Sequence, residues 1–327
     1  MKGGRMQKFD VTALGELLID FTENGVSPQG NPILEANPGG APCNVLAMLN
    51  NLGKKTAFIG KVGQDSFGEM LKNVVKESGT DVTNLVMDSK VHTTLAFVHT
   101  APDGDREFSF YRNPGADMML TKQEVMADII KSSRIFHFGT LSSTHEGVRE
   151  ATRYAIDVAK EAGALISFDP NLREPLWNTL DEAKEEISYG LGKCDILKIS
   201  DNEIEFMTGT TDYTKGVAAL QERYGIPLVF ATLGKAGSRA YYKDFMVEVG
   251  PFLQERTIET TGAGDTFEGC ALNYILDHGL DGLTKEDLTQ LLTFANAGAS
   301  IITTKRGALK VMPKPEEIRQ LISDRKG

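Results

Sequence analysis

Short apolar runs alternate with amphipathic helical segments from residue 134 onward, and this alternation constrains the fold more than any other feature. The expected strands cover 134–138, 164–168, 194–199 and 227–232, and the expected helices cover 145–162, 180–191, 213–224, 264–278, 285–302 and 315–323. Because a helix connecting two parallel strands packs on a face of their sheet, the pattern predicts an α/β fold with a doubly wound, largely parallel sheet flanked by helices. Such sheets bind ligands beyond the carboxyl ends of their strands, where we expect Asp20, Asp169 and Thr232.

The beginning of the chain continues the same pattern. Residues 11–20 are expected to form one buried strand that ends in Asp20. A helix, a strand and a second helix are expected at 42–52, 56–62 and 66–77. Since no long linker or repeat interrupts the pattern, we expect a single domain over 9–323.

A more polar pattern interrupts this alternation before residue 134. Two loosely alternating runs, 93–100 and 106–112, flank the turn sequence Pro-Asp-Gly-Asp at 102–105, which is typical of a β-hairpin. We therefore expect a small, exposed β-sheet, formed by inserted segments at about 22–37 and 91–112, that covers the ligand site as a lid.

Composition excludes several classes of function. The formal net charge of −10 argues against a nucleic-acid or anionic-membrane partner. No apolar run approaches the roughly 20 residues that span a bilayer. The three cysteines, Cys43, Cys194 and Cys270, are widely spaced and fit reduced thiols in a cytoplasmic protein.

The sequence Gly-Ala-Gly-Asp at 262–265 stands where a small-residue turn enters a helix. A helix N-terminus presents free N–H groups and a positive dipole end, so it suits an anion such as phosphate. An acid repels phosphate, yet Asp265 suits a base that deprotonates a hydroxyl attacking phosphorus. The alternative is that Asp265 only stabilises the first helical turn, and the motif alone leaves both open.

Two common glycine-rich nucleotide loops are excluded by their spacing. A Gly-x-Gly-x-x-Gly loop would need glycine at Phe267. A Walker loop would need Ser or Thr after Gly234 and Lys235, where the chain has Ala236.

A second glycine-rich element, Gly-Gly-Ala-Pro-Cys-Asn at 39–44, opens the 42–52 helix. With both elements, the chain resembles the ribokinase-like (pfkB) family of carbohydrate kinases. Further matching segments occur in the family's order and cover nearly the whole chain: 52–53, 58–68, 168–173, 198–203, 232–237 and 259–267. The resemblance implies the ribokinase-like fold, with ATP and Mg²⁺ as nucleotide and metal.

Within the family, the segments 14–21, 39–42 and 110–118 are similar to fructokinases. This resemblance implies transfer of phosphate from ATP to the 6-hydroxyl of D-fructose. The alternatives are a 2-keto-3-deoxygluconate kinase, which Arg112 and Arg173 leave open because they could meet a carboxylate, and a riboside kinase, which would need an aromatic slot for a base. A non-catalytic relative is less consistent with the intact Gly-Ala-Gly-Asp. An NAD-linked oxidoreductase is supported only by the expected doubly wound sheet, because the chain lacks the glycine-rich phosphate-binding motif of that class.

The resemblance implies a role for each candidate residue. Asp265 is the expected base, and the N–H groups of Gly262, Ala263 and Gly264 are expected to hold the charge on the phosphoryl group. The residues expected at the sugar are Asp20, Gly39, Gly40, Asn44, Arg112 and Arg173. Structural alternatives are a turn cap for Asp20 and a loop salt bridge for Arg173.

The nucleotide side is expected to comprise Lys198, Glu203, Thr232, Gly234, Gly237 and Asn296. Glu203 is expected to act on Mg²⁺ through water, and Asn296 could equally be a polar residue on a helix face. The resemblance also implies a K⁺ site at Glu259 and Thr261, beside the 301–307 turn, and a homodimer surface on the lid. Glu268, directly after the second motif, has no expected role.

Overall fold

A computed structural model of the protein describes residues 7–100 and 106–326. Its strands are β1 Phe9–Leu14, β2 Leu18–Val26, β3 Pro32–Gly39, β4 Thr56–Gly63, β5 Asp81–Asp88, β6 Leu95–Thr100, β7 Arg106–Tyr111, β8 Ser133–Gly139, β9 Leu165–Asp169, β10 Ile196–Ser200, β11 Leu228–Thr232, β12 Ser238–Tyr242 and β13 Phe245–Val249. Its helices are α1 Ala41–Asn51, α2 Ser66–Glu77, α3 Ala127–Lys131, α4 Glu146–Ala162, α5 Leu180–Leu191, α6 Asp201–Thr208, α7 Tyr213–Tyr224, α8 Ala263–His278, α9 Lys285–Ile302 and α10 Pro315–Lys326.

Sheet A, the larger of two sheets, confirms the doubly wound, largely parallel architecture. Its strand order is β13-β12-β11-β10-β9-β8-β1-β4-β5. The strands from β11 to β5 are parallel, and the ribbon β12–β13 adds an antiparallel edge. The carboxyl ends of β9, β10 and β11 therefore lie side by side at one edge of sheet A, which is the edge where such sheets bind their ligands.

Sheet B is small, with strand order β3-β2-β6-β7. The two predicted hairpin runs pair antiparallel as β6 and β7, and β2 pairs parallel with β6. The predicted turn at 102–105 lies outside the described residues. A separate small sheet, as expected, thus accompanies the main one.

The expectation of one strand over 11–20 is wrong, because the chain leaves sheet A after β1 and enters sheet B as β2. The break falls near Gly15, which lies so close to the Pro42 ring that a β-carbon there would be 2.5 Å from Pro42 Cγ. Leu14, Leu17 and Leu18 are all buried, so the apolar run continues through the break and hides it. Asp20 consequently lies in sheet B and not at the end of a sheet A strand.

Helix α8 runs through the core between α1, α9 and sheet A. Phe267 and Cys270, on the apolar face of this helix, are buried, but so are Thr266 and Glu268 on other faces. The helix is therefore enclosed nearly all round. No helix in the described part of the chain is both long and apolar enough to cross a membrane.

Strand alternation decides which side chains meet α8. Phe168 of β9 points into the cluster on the opposite face, where it stacks on Phe138 at 4.7 Å between ring centroids. Its neighbours Ser167 and Asp169 therefore point to the α8 face. Polar side chains in the middle of sheet A thus face the start of α8.

Candidate active site

The start of α8 has the geometry of an anion-binding helix terminus. Gly262 caps the helix with φ of 80°, a left-handed conformation that favours glycine. Thr266 Oγ1 donates to the Gly262 carbonyl at 2.7 Å, and the Ala263 N–H donates to the Thr260 carbonyl at 3.2 Å. The remaining N–H groups of the first turn, including that of Gly264, are directed away from the helix body.

Asp265 lies in this first turn and accepts a hydrogen bond from Asn44 Nδ2 at 2.7 Å. Burial raises its pKa to about 6, against the opposing effect of the Asn44 bond. At neutral pH the carboxylate is therefore mostly ionised and able to accept a proton. Asn44, expected at the sugar, is thus also the partner of the candidate base.

Asp20 approaches the same space from sheet B. Burial raises its pKa to about 7; the nearby Arg173 lowers it, and Glu259 and Asp265 raise it. A β-carbon at Gly39 would collide with Asp20 Oδ2, so glycine is needed there for this carboxylate to fit. Arg173 lowers the pKa of both acids, so its guanidinium lies within electrostatic range of Asp20 and of Asp265.

The cleft floor contains a buried ion pair between neighbouring strands. Lys198 Nζ donates to both carboxylate oxygens of Asp169, at 3.1 and 3.0 Å, and both residues are almost completely buried. The carboxylates of Asp169, Glu203 and Asp265 raise the pKa of Lys198 against the effect of burial. Its ammonium lies 3.0 Å from the position of a β-carbon on Gly264, directly at the start of α8.

The sequence pattern predicts Asp169 at a ligand-binding strand end but gives it no role in the site. Lys198, which is expected on the nucleotide side, lies between Asp169 and the start of α8.

Arg112 is part of a buried network. Its Nε donates to Asp117 at 2.8 Å, its Nη1 to Thr144 at 2.7 Å, and its Nη2 to the Leu141 carbonyl at 2.9 Å. Every guanidinium nitrogen thus has an acceptor within the protein. These bonds hold Arg112 within the protein, and the contacts of Arg112 and Arg173 with the sugar stay predictions.

Glu203 and Asn296 also have structural partners. Glu203 accepts the Ser200 and Leu172 N–H groups, each at 2.8 Å, and forms the capping box of α6. The spacing of Ser200 and Glu203 is the sequence signal for that box. Asn296 ties α9 to the ribbon, since it accepts from Ser238 Oγ at 2.8 Å and donates to the Val249 carbonyl at 3.0 Å.

The remaining nucleotide-side candidates lie at the same edge of sheet A. Thr232 ends β11 and pairs with Ser200 at the end of β10. Gly234 and Gly237 form the tight turn from β11 to β12. The structure therefore brings these residues beside the ends of β9 and β10, next to the cleft.

The segments expected to hold a cation are in contact. The N–H groups of Ile258 and Glu259 donate to the Thr303 carbonyl at 2.8 and 3.1 Å, and Gly307 N–H donates to Glu259 Oε2 at 3.1 Å. Thr261, two residues after Glu259, leads into the turn at the start of α8. Within the described ranges, no three His, Cys, Asp or Glu side chains cluster closely enough to hold a metal ion by themselves.

Comparisons with known proteins agree with this geometry. The model of the pfkB family of carbohydrate kinases matches residues 8–315. The chain is 44% identical over 306 residues to probable fructokinase-2 of Arabidopsis thaliana, which covers 93% of this chain and 92% of the relative.

Two solved structures have a similar fold. A fructokinase of Xylella fastidiosa with bound ATP is 29% identical, with a TM-score of 0.87, over 97% of this chain and 99% of that chain. A double-mutant fructokinase of Vibrio cholerae O395, in its fructose, ADP and potassium ion bound form, is 27% identical, with a TM-score of 0.85, over 97% and 100% of the respective chains.

The Asp169–Lys198 pair generates a prediction about stability. Removing one partner leaves a buried, uncompensated charge, so Lys198→Met is expected to lower the free energy of unfolding by about 3–5 kcal/mol. The double variant Asp169→Leu with Lys198→Met is expected to lose less than Lys198→Met alone. Urea unfolding at neutral pH is measured for Asp169→Leu, for Lys198→Met and for the double variant, and single losses that simply add in the double variant would contradict the pairing.

Proposed function

The chain belongs to the pfkB family of carbohydrate kinases, and we propose that it is a fructokinase that transfers the γ-phosphoryl group of ATP to the 6-hydroxyl of D-fructose. The observation that carries the proposal is that Asp265, at the start of α8, is hydrogen-bonded to Asn44 on α1, the helix that follows Gly39, against which the Asp20 carboxylate of sheet B packs. An acid at an anion-binding helix terminus suits deprotonation of a hydroxyl beside a phosphate.

Asp265 would take the proton of the 6-hydroxyl as its oxygen attacks the γ-phosphorus. With a pKa of about 6, it is ionised at neutral pH yet still basic enough to accept that proton. The N–H groups of Gly262 and Gly264 would stabilise the charge that develops on the phosphoryl oxygens. The Ala263 N–H, which donates to the Thr260 carbonyl at 3.2 Å, would contribute by exchanging that bond for one to the phosphoryl group. Lys198, beneath Gly264, adds positive charge at the same place.

Asp20 would hold the sugar by accepting hydrogen bonds from neighbouring hydroxyls. Among the described residues, its carboxylate has no hydrogen-bond donor, so it can accept them from a ligand. Gly39 makes room for the Asp20 carboxylate and Gly40 for the Glu16 carbonyl, so both would shape the wall of the sugar site, and Asn44 lies on the adjoining helix, α1. Arg173, whose charge lowers the pKa of both acids, would contact the transferring phosphate.

Sheet B carries Asp20, so its segments 22–37 and 91–112 would serve as the lid of this single domain. Val26 and Tyr111 on sheet B are 68% and 67% exposed, which supports the sheet as a homodimer surface. A cytoplasmic location agrees with the buried free thiols of Cys43, Cys194 and Cys270.

The nucleotide would lie at the ends of β10 and β11, near Thr232 and the turn containing Gly234 and Gly237. Mg²⁺ supplies charge neutralisation on the phosphates when it is bound. Both Glu203 oxygens already accept N–H groups, so this side chain fits contact with Mg²⁺ through water and not direct coordination. Asn296 would support the adenine side by holding α9 against the ribbon.

A K⁺ ion would bind where the Glu259–Thr261 region contacts the turn at 301–307. The Glu259 carboxylate already reaches the Gly307 N–H, so the two segments are tied together at this point. Backbone carbonyls with an acid at the edge are suitable ligands for a hard cation. By stiffening the turn before Gly262, the ion would help the N–H groups to point at the phosphoryl group.

The base assignment is tested with Asp265→Asn, whose amide cannot accept the proton. We expect kcat to fall by about 10²–10⁴-fold, the usual contribution of general-base catalysis, with ATP affinity retained. Asp281→Asn, an exposed acid beyond α8, is the matched control and should keep its kcat. An Asp265→Asn variant with more than about a tenth of the normal kcat would rule out the base.

The sugar assignment is tested by measuring kcat/KM with ATP for fructose, 2-keto-3-deoxygluconate, ribose and a purine riboside. Since Arg112 is occupied internally, we expect fructose to be preferred to the keto acid by at least about 10²-fold, because a site built for hydroxyls rejects analogues that lack one. A higher value for any of the other three would assign the chain to a different branch of the family.

The cation proposal predicts faster turnover in K⁺ than in Na⁺ or tetramethylammonium at equal ionic strength. The reason is the stiffening of the α8 turn, so kcat should change more than the KM for fructose. Equal kcat values in all three salts would contradict the proposed K⁺ site.

A further inference from the structure

Glu268 is a completely buried acid to which the proposed reaction gives no role. It lies on α8 three residues after Asp265, with 0% exposure. Its Oε1 accepts a hydrogen bond from Ser167 Oγ at 2.7 Å, whereas its Oε2 has no hydrogen-bond partner in the described structure. A buried acid with a single donor requires an explanation.

The contacts of Glu268 lead back to the cleft floor. Ser167 Oγ also lies 2.9 Å from His137 Nδ1, so three elements, β8, β9 and α8, meet at this hydroxyl. Because Ser167 donates to Glu268, the hydrogen-bond network assigns the proton of the imidazole to Nδ1. Asp169, two residues further along β9 on the same face, holds Lys198 beneath the start of α8.

The surroundings of Glu268 favour its neutral form. The cation that acts on it is Lys198, which is already paired with Asp169, so a second carboxylate here would have no counter-charge of its own. Burial raises the pKa of Glu268 to about 8; the Ser167 bond and Lys198 lower it, while Asp169 and Asp265 raise it. Burial and Lys198 lower the pKa of His137 to about 3, so that ring is neutral too.

The other packed elements supply little further charge. Cys194, just before β10, is a buried thiol whose pKa burial raises. Helix α1 has no charged side chain, and the charged residues of α9 are confined to 285–287 in its first turn. The ionisation of Glu268 would therefore be felt mainly by Asp169, Lys198 and Asp265.

We propose that Glu268 is a positioning residue whose neutral form preserves the Asp169–Lys198 pair beneath α8, and whose ionisation in alkaline solution disables phosphoryl transfer. An ionised Glu268 would compete with Asp169 for Lys198 and draw the ammonium away from Gly264. It would also add negative charge below the N–H groups that receive the phosphoryl group. The effect on catalysis rests on the proposed kinase function.

The first test compares the pH dependence of kcat between pH 6 and 9.5 for the wild-type chain and Glu268→Gln, with fructose and ATP saturating. Each profile is normalised to its own value at pH 7. The wild type is expected to lose about tenfold per pH unit once Glu268 ionises, whereas the amide, which cannot ionise, should keep its activity. Alkaline limbs that coincide in the two proteins would overturn the proposal.

The second test needs no activity and follows the thermal midpoint of unfolding from pH 5 to 9. The folded-state pKa of Glu268 lies above its ordinary value of 4.5, so the unfolded chain releases this proton first as the pH rises. The wild type therefore loses stability between about pH 4.5 and 8 relative to Glu268→Gln, and the difference becomes constant above that range. A difference in thermal midpoint that is independent of pH would show that Glu268 is not a neutral buried acid, and it would overturn the proposal.

The two tests separate the possible failures. Glu286→Gln, an exposed residue of α9, is the matched control and should change neither profile. A wild-type chain that phosphorylates no sugar would refute the proposed function, and the unfolding test would still report on Glu268. The stability difference between the wild type and Glu268→Gln could depend on pH while the alkaline limbs of their kcat profiles coincide. Glu268 would then be a neutral acid that does not position the site, which contradicts the proposal.

Discussion

The burial of charge at the start of α8 is the constraint on which the rest of the site depends. Ionised groups are costly inside a protein unless they are paired or hydrogen-bonded. Lys198 balances Asp169, Asn44 donates to Asp265, and Glu268 is kept neutral, so each buried group has its own compensation. The same burial that imposes this cost raises the pKa of Asp265 to about 6, a suitable value for a base at neutral pH.

The two sheets contribute different residues to the cleft. Sheet A places its polar side chains on the α8 face by strand alternation and brings the ends of β9, β10 and β11 together. Sheet B brings Asp20 from the other side, because the chain changes sheets between Leu14 and Leu18. Gly39 provides the space for Asp20. A movement of sheet B relative to sheet A would thus change the sugar side of the cleft while leaving the buried cluster under α8 intact.

Periodicity and the two glycine-rich elements were enough to predict the parallel sheet and the place of Asp265, since both depend on local pattern. The change of sheets within 11–20 could not be predicted, because Leu17 and Leu18 keep the run apolar through the break. The role of Arg112 depends on Asp117 and on Leu141 and Thr144, which only the folded chain brings to it. No role for Glu268 is predicted for a related reason: an amphipathic pattern gives no sign that a helix is enclosed nearly all round.

The central claim is that a carboxylic acid at the start of α8 is tuned by burial to act as the base. The most direct test is a titration of the free protein, in which ¹³C-labelled aspartate carboxyls are followed by NMR in the wild-type chain and in Asp265→Asn. The account predicts one aspartate signal with a midpoint near pH 6 that is missing from the variant. If the signal lost on substitution instead titrated near the ordinary value of 3.8, the account would be contradicted.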